Sequence, residues 1–119
     1  MAQQFAVLCY GHDELLLHTR RLILREYFQV SVATSIEATA ALARLEQMDL
    51  VLLCHSLSEE ECDQMIELVG ELWPQAKVLV LTAPDLGRAT SLPHEEFAAL
   101  DGPYSLMRKM REMLSGKPD

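Results

Sequence analysis

Three stretches of this chain are apolar without interruption and too short for helices. Residues 5–9 read Phe-Ala-Val-Leu-Cys, residues 50–54 Leu-Val-Leu-Leu-Cys and residues 78–81 Val-Leu-Val-Leu. A strand with one wet face alternates apolar and polar side chains, whereas a strand covered on both faces need not. Runs of this kind belong to parallel sheets, whose crossovers are helices that pack over both faces. The chain therefore has to supply helices between its strands.

It does so. From Asp13, a natural N-cap, to about Tyr27 the helical period is present, with Leu15, Leu16, Leu22, Ile23 and Tyr27 available as an inward stripe and Arg20, Arg21 and Arg25 as an outer face. Val30, Ser31 and Val32 read as a short outer strand. Thr34 and Glu37 have capping-box spacing and open a second helix, expected to reach about Gln47 with Ala38, Ala41, Leu42 and Leu45 on one stripe. Ser58 and Glu61 repeat the box ahead of a third helix, whose first turn carries Glu59, Glu60 and Glu61 and which stops before Pro74. After the strand at 77–82, residues 85–96 contain Gly87 and Pro93 and predict only a short or irregular fourth helix. Residues 97–100 are expected to form the fifth strand. Pro103 then opens a last helix that buries Leu106, Met110, Met113 and Leu114, before a frayed end at 115–119.

Alternating strands and helices with short connections imply right-handed crossovers and an α/β fold, a three-layer α/β/α sandwich. For five parallel strands the flavodoxin-like order 2-1-3-4-5 is expected, which brings the ends of strands one and three together. Residues 1–119 are read as one domain. The apolar runs fall far short of a membrane span, and residues 1–4 lack the basic start of a secretory signal, so the expected compartment is the cytoplasm. Ten Lys and Arg against 18 Asp and Glu give a net charge of −8, which argues against a nucleic-acid partner. Cys9, Cys54 and Cys62, odd in number and irregularly spaced, are read as free thiols.

The segment from Asp49 through Cys54 to Ser56 resembles the third strand of the receiver domains of two-component response regulators, and the order of elements extends the resemblance from Phe5 to about Leu114. In that family the third strand closes on an aspartate that accepts a phosphoryl group; here the position falls on Cys54. The acidic pair that holds Mg²⁺ after the first strand falls on Tyr10 and Gly11, with His12 next, and the lysine before a proline falls on Gly102. The switch hydroxyl survives as Thr82. The resemblance thus implies a degenerate phosphoacceptor pocket of Tyr10, Gly11, His12, Cys54, Thr82 and Gly102. Phosphoryl transfer to a carboxylate needs that carboxylate and a cation to neutralise the moving oxygens, and these residue types supply neither. As substitute acids, Asp13 is better read as a helix cap and Asp49 lies at the opposite end of its strand.

The expectation is a receiver-like, pseudo-receiver signalling module that is no enzyme, needs no cofactor and binds a protein partner, either a signalling protein or a second copy of itself. Receiver relatives commonly use the face of their fourth helix, fifth strand and fifth helix, which maps to about residues 85–114 and makes Tyr104, Leu106 and Met107 candidate contacts. Two alternatives stand beside it: a thiol or metal sensor built on Cys9, His12, Cys54 and His55, and a phosphorelay receiver with a displaced acceptor. A third reading fails on sequence. Cys9 is placed like the nucleophile of low-molecular-weight tyrosine phosphatases, but the arginine of their Cys-x5-Arg loop is replaced by Leu15. Trp73 is expected to anchor a partner only if it is exposed.

Overall fold

The apolar runs are neighbours in a single parallel sheet. In the computed structural model, which describes residues 5–54, 57–82, 95–98 and 102–115, the order of elements is β1 (Ala6–Tyr10), α1 (Glu14–Leu24), β2 (Gln29–Ala33), α2 (Ile36–Ala43), β3 (Leu50–Leu53), α3 (Glu59–Leu72), β4 (Lys77–Thr82), β5 (Glu95–Ala98) and α4 (Pro103–Ser115). The five strands pair in parallel in the order β2-β1-β3-β4-β5, the flavodoxin-like arrangement. Cys9 of β1 lies between Val32 of β2 and Leu52 of β3.

The pleat sends alternate residues of each central strand into separate cores. Val7, Cys9, Leu50, Leu52, Cys54 and Leu81 pack under α1 and α4 with Leu17, Leu24 and Met110. Leu8, Tyr10, Val51, Leu53 and Val80 pack under α2 and α3 with Met65, Val69 and Trp73. No polar face remains on β3, whose four residues are all buried. That is why its sequence shows no alternation.

Local hydrogen-bonding signals set several boundaries. Asp13 caps α1 and accepts from the Leu16 amide at 3.1 Å. The capping box of α3 is formed, with Ser58 Oγ accepting from the Glu61 amide at 3.1 Å and Glu61 turned back to the Ser58 amide. Asp49 sits at the far end of the sheet, its carboxylate taking the Ala6 amide at 2.8 Å.

Four expectations need correction. In α1 the buried residues are Leu17 and Leu24, while Leu15 is 76% exposed and Leu22 and Tyr27 also face solvent. The runs 15–17 and 22–24 repeat at seven residues in three equivalent phases, so periodicity alone cannot select the inward one. The same error placed Arg20 outside, although it lies amid the inward positions and is half-buried.

The cap of α2 is Ser35, which accepts from the Ala38 amide, and Thr34 and Glu37 form no box; the helix ends at Ala43, leaving Ala41 and Leu45 exposed. The fifth strand begins two residues earlier than expected, at Glu95. An edge strand with one open side accommodates Glu95 and Glu96, which an apolar-run criterion passes over. Met107 and Leu106 both point into the core, at 6% and 5% exposure, rather than toward a partner. Of the segment 85–96 expected to hold a short or irregular fourth helix, residues 95–96 belong to β5 and 85–94 lie outside the described residues; of the expected frayed end at 115–119, Ser115 closes α4 and 116–119 lie outside them. No helix among the described residues is long and apolar enough to cross a membrane.

Candidate functional site

The carboxyl ends of β1 and β3 meet beneath the N-terminus of α1. Cys54 follows β3 directly, and its amide donates to the Tyr10 carbonyl at 3.0 Å, which continues the β1–β3 ladder by one residue. Its side chain turns to the α1 and α4 side and is 2% exposed. Gly11 runs directly against it: a Cβ added at Gly11 would lie 2.8 Å from Cys54 Sγ and 3.0 Å from its Cβ. Gly11 is therefore required by close approach, since its φ is not in the left-handed region.

Arg20 completes this half of the rim. Its Nη1 donates to Cys54 Sγ at 2.9 Å from the second turn of α1. Burial pushes the Cys54 thiol up; the charge and hydrogen bond of Arg20 oppose that rise, and the nearby Asp13 carboxylate adds to it. Cys9, deeper in the same core, is pushed up to about 12 by burial first and by Cys54 second. Cys62 is raised to about 11, again by burial first, then by Asp63, Glu61 and Glu59. All three cysteines are free and buried. At neutral pH they are thiols, and thiols are poor nucleophiles and poor metal ligands.

Tyr10 and His12 belong to the other half. Tyr10 points to the α2 and α3 core, and its ring meets that of His12 edge-on with centroids 6.2 Å apart. His12 pairs through Nε2 with Glu61 Oε2, tying the β1–α1 connection to the first turn of α3. Burial raises the Tyr10 hydroxyl, with Glu61 and Glu37 adding to the effect. The hydrogen bond from His12 is the main cause that holds the Glu61 carboxyl below its ordinary range, with Ser58 contributing and burial opposing.

This pairing carries a pH dependence of definite sign. A carboxylate whose folded-state pKa lies below its unfolded value, about 4.3, contributes stability present above that value and lost as pH falls through the folded one. His12→Ala is expected to move the Glu61 midpoint back up toward the ordinary carboxylate range, followed by NMR of the side-chain carboxyl. A midpoint that stays put would assign the effect to the capping box alone.

Of the six residues of the anticipated pocket, four divide between the two sides of the sheet. Cys54 and Gly11 lie on the α1 side with Arg20, while Tyr10 and His12 lie on the α3 side. Thr82 is half-buried and donates its hydroxyl to the Phe97 carbonyl at 3.4 Å, which ties β4 to β5. Gly102, at φ +90°, leads into α4, whose Leu106 amide bonds to the Gly102 carbonyl at 3.1 Å. The described members of the alternative metal constellation Cys9, His12, Cys54 and His55 are divided in the same way. The two cysteines enter the α1 side whereas His12 is drawn to α3, His55 lies outside the described residues, and no group of three potential ligands exists among the described residues. Trp73 is buried and donates from Nε1 to the Glu46 carbonyl at 3.0 Å, so it is no interface anchor.

Sequence reasoning missed Arg20. The signal was present in its spacing from Leu16, Leu17, Ile23 and Leu24, three or four residues away on each side, which makes it their neighbour on a helix. Of the three proposed partner contacts, Tyr104 alone is open, at 78% exposure.

Neither a family model nor a curated protein matches the chain. Solved structures do match in fold. A response regulator from Thermotoga maritima is 15% identical, with a TM-score of 0.70 over 96% of this chain and 100% of that one. A CheY-like receiver domain protein from Methanospirillum hungatei JF-1 is 19% identical, with a TM-score of 0.73 over 95% of each chain. A receiver domain protein from Bacillus halodurans C-125 is 20% identical, with a TM-score of 0.69 over 98% of this chain and 100% of that one. The chain has the fold of response-regulator receiver domains, and at these identities the likeness speaks to fold alone.

Proposed function

We propose that this chain is a receiver-like signalling module that works by binding a protein partner and takes no phosphoryl group at the end of its third strand. The observation that carries the reading is the rim itself: a buried thiol, Cys54, hydrogen-bonded to Arg20 and packed against Gly11, occupies the place where the receiver resemblance calls for an acceptor carboxylate beside a divalent cation. Aspartyl phosphorylation needs an oxygen nucleophile and hard oxygen ligands for the metal. A displaced acceptor is opposed by the placement of Asp13, which caps α1, and of Asp49, which closes the other end of the sheet. Thiolate chemistry is opposed by the upward shift of all three thiols.

A partner surface finds support in α4. Tyr104 stands open beside a groove shared with Tyr27, Arg108 and Arg111, and the Arg111 guanidinium lies 5.8 Å from the Tyr27 ring centre. Exposed tyrosine and arginine side chains are the types that most often anchor protein contacts. On this reading the partner is a signalling protein or a second copy of the chain, and the module is not itself an enzyme.

Intact mass after incubation with acetyl phosphate and Mg²⁺, beside a Cys54→Asp variant, tests the reading. No phosphoryl adduct is expected on the unaltered chain under conditions that label a working receiver. The variant is expected to stay unlabelled too, because Tyr10 and Gly11 offer no carboxylate to the metal. An adduct on the unaltered chain would overturn the proposal.

A further inference from the structure

Between α1 and α4, on the Arg20 side of the rim, lies a cavity of about 200 Å³. Leu16, Ile23, Leu24, Leu81, Phe97 and Leu106 give it an apolar wall. The polar group of consequence at its edge is Arg20. A guanidinium has five N–H donors, yet among the described residues the one hydrogen-bond partner of Arg20 is the neutral Cys54 thiol. The Asp13 carboxylate, whose charge is felt at Cys54, accepts the Leu16 amide through Oδ1 as the cap of α1 and makes no ion pair with Arg20. A half-buried cation with no anionic partner among the described residues, at the mouth of an apolar cavity, is a site that favours a negative charge.

Size narrows the ligand. An apolar cavity of roughly 150 Å³ holds a benzene ring. One of about 200 Å³ therefore takes a six-carbon chain or a phenyl group, with a charged end left at the rim. We propose that the cavity between α1 and α4 binds a small amphipathic monocarboxylate, its apolar body against Ile23, Leu81, Phe97 and Leu106 and its carboxylate on Arg20. Binding draws Nη1 from Cys54 to the ligand, so occupancy is felt at the carboxyl end of β3. The site stands on Arg20 and the cavity, and holds whether or not the partner-binding reading does.

The chain contains three isoleucines, of which Ile23 lines the cavity, while Ile36 and Ile66 lie on α2 and α3 across the sheet. Methyl NMR of isoleucine-labelled protein, titrated with hexanoate and separately with 1-hexanol, reads the site directly. Hexanoate is expected to shift Ile23, to leave Ile36 and Ile66 in place, and to bind at least about ten-fold more tightly than 1-hexanol, as a charged hydrogen bond provides. Arg20→Gln should remove that margin and leave 1-hexanol binding within about two-fold of its original value, since the apolar wall is untouched. Leu16→Phe, which keeps Arg20 and fills space, should abolish both. Equal binding of the two ligands to the unaltered chain overturns the proposal. So does undiminished hexanoate binding in either variant, a response at Ile36 or Ile66 instead of Ile23, or no response to hexanoate at all. Should Arg20→Gln fail to fold, the two ligands on the unaltered chain and the Leu16→Phe variant still decide.

Discussion

Trp73→Ala is expected to lower the free energy of unfolding by about 3–5 kcal/mol, the usual cost of emptying a buried indole site. Total stability of a domain this size is about 5–15 kcal/mol, so the loss is a large share of it. Trp73 is buried where α3 ends, packed with Leu8, Val51 and Met65, and its indole N–H holds the Glu46 carbonyl in the connection after α2. Removing it opens a cavity and frees that carbonyl together. Trp73→Phe keeps an aromatic ring and should cost less than half as much. Since this is the only tryptophan, urea unfolding has to be followed by circular dichroism. A loss under about 1 kcal/mol would mean that the core under α2 and α3 repacks around the gap, against the rigid anchoring described here.

The second large effect is expected at Gly11→Val, with a loss of about 1–3 kcal/mol from overpacking. The new Cβ would stand 2.8 Å from Cys54 Sγ, closer than real Cβ atoms come, and the branch methyls would press toward Leu17. Neither neighbour retreats freely, because the Cys54 backbone is held by the hydrogen bond from its amide to the Tyr10 carbonyl and Leu17 by its place in the core. Cys54→Ala in the same chain should recover part of the loss, and part only, because the 3.0 Å approach to Cys54 Cβ remains. Strictly additive effects of the two substitutions in thermal unfolding would show that Gly11 and Cys54 do not press on one another.

The rim explains why so little of the site could be read from the chain alone. That Cys54 ends a strand was legible, as was its nearness to Gly11, because both follow from apolar runs and the favoured strand order. Their pressing together was not. Nor could the chain reveal that His12 would be drawn to Glu61, since that pair joins the β1–α1 connection to the first turn of α3, 49 residues away. Arg20 is the sharpest case. Its turn inward depends on which of three equivalent phases of α1 settles on the sheet, and the sheet makes that choice.

What the sequence determined by itself were the features whose physics is short in range. Uninterrupted apolar runs called for strands covered on both faces, and β4 appears at the predicted residues 77–82. Asp13, Ser58 and Glu61 cap their helices because a side chain reaches an amide only three residues away. Tertiary structure decided everything that rests on contact between distant elements: the rotation of α1 that buries Leu17 and Leu24 and turns Arg20 to Cys54, the burial of Met107, the register of β5 on its neighbour, and the separation of Cys54 from His12. Periodicity fixes that a helix has an inward face, but close packing against a particular sheet selects which face it is.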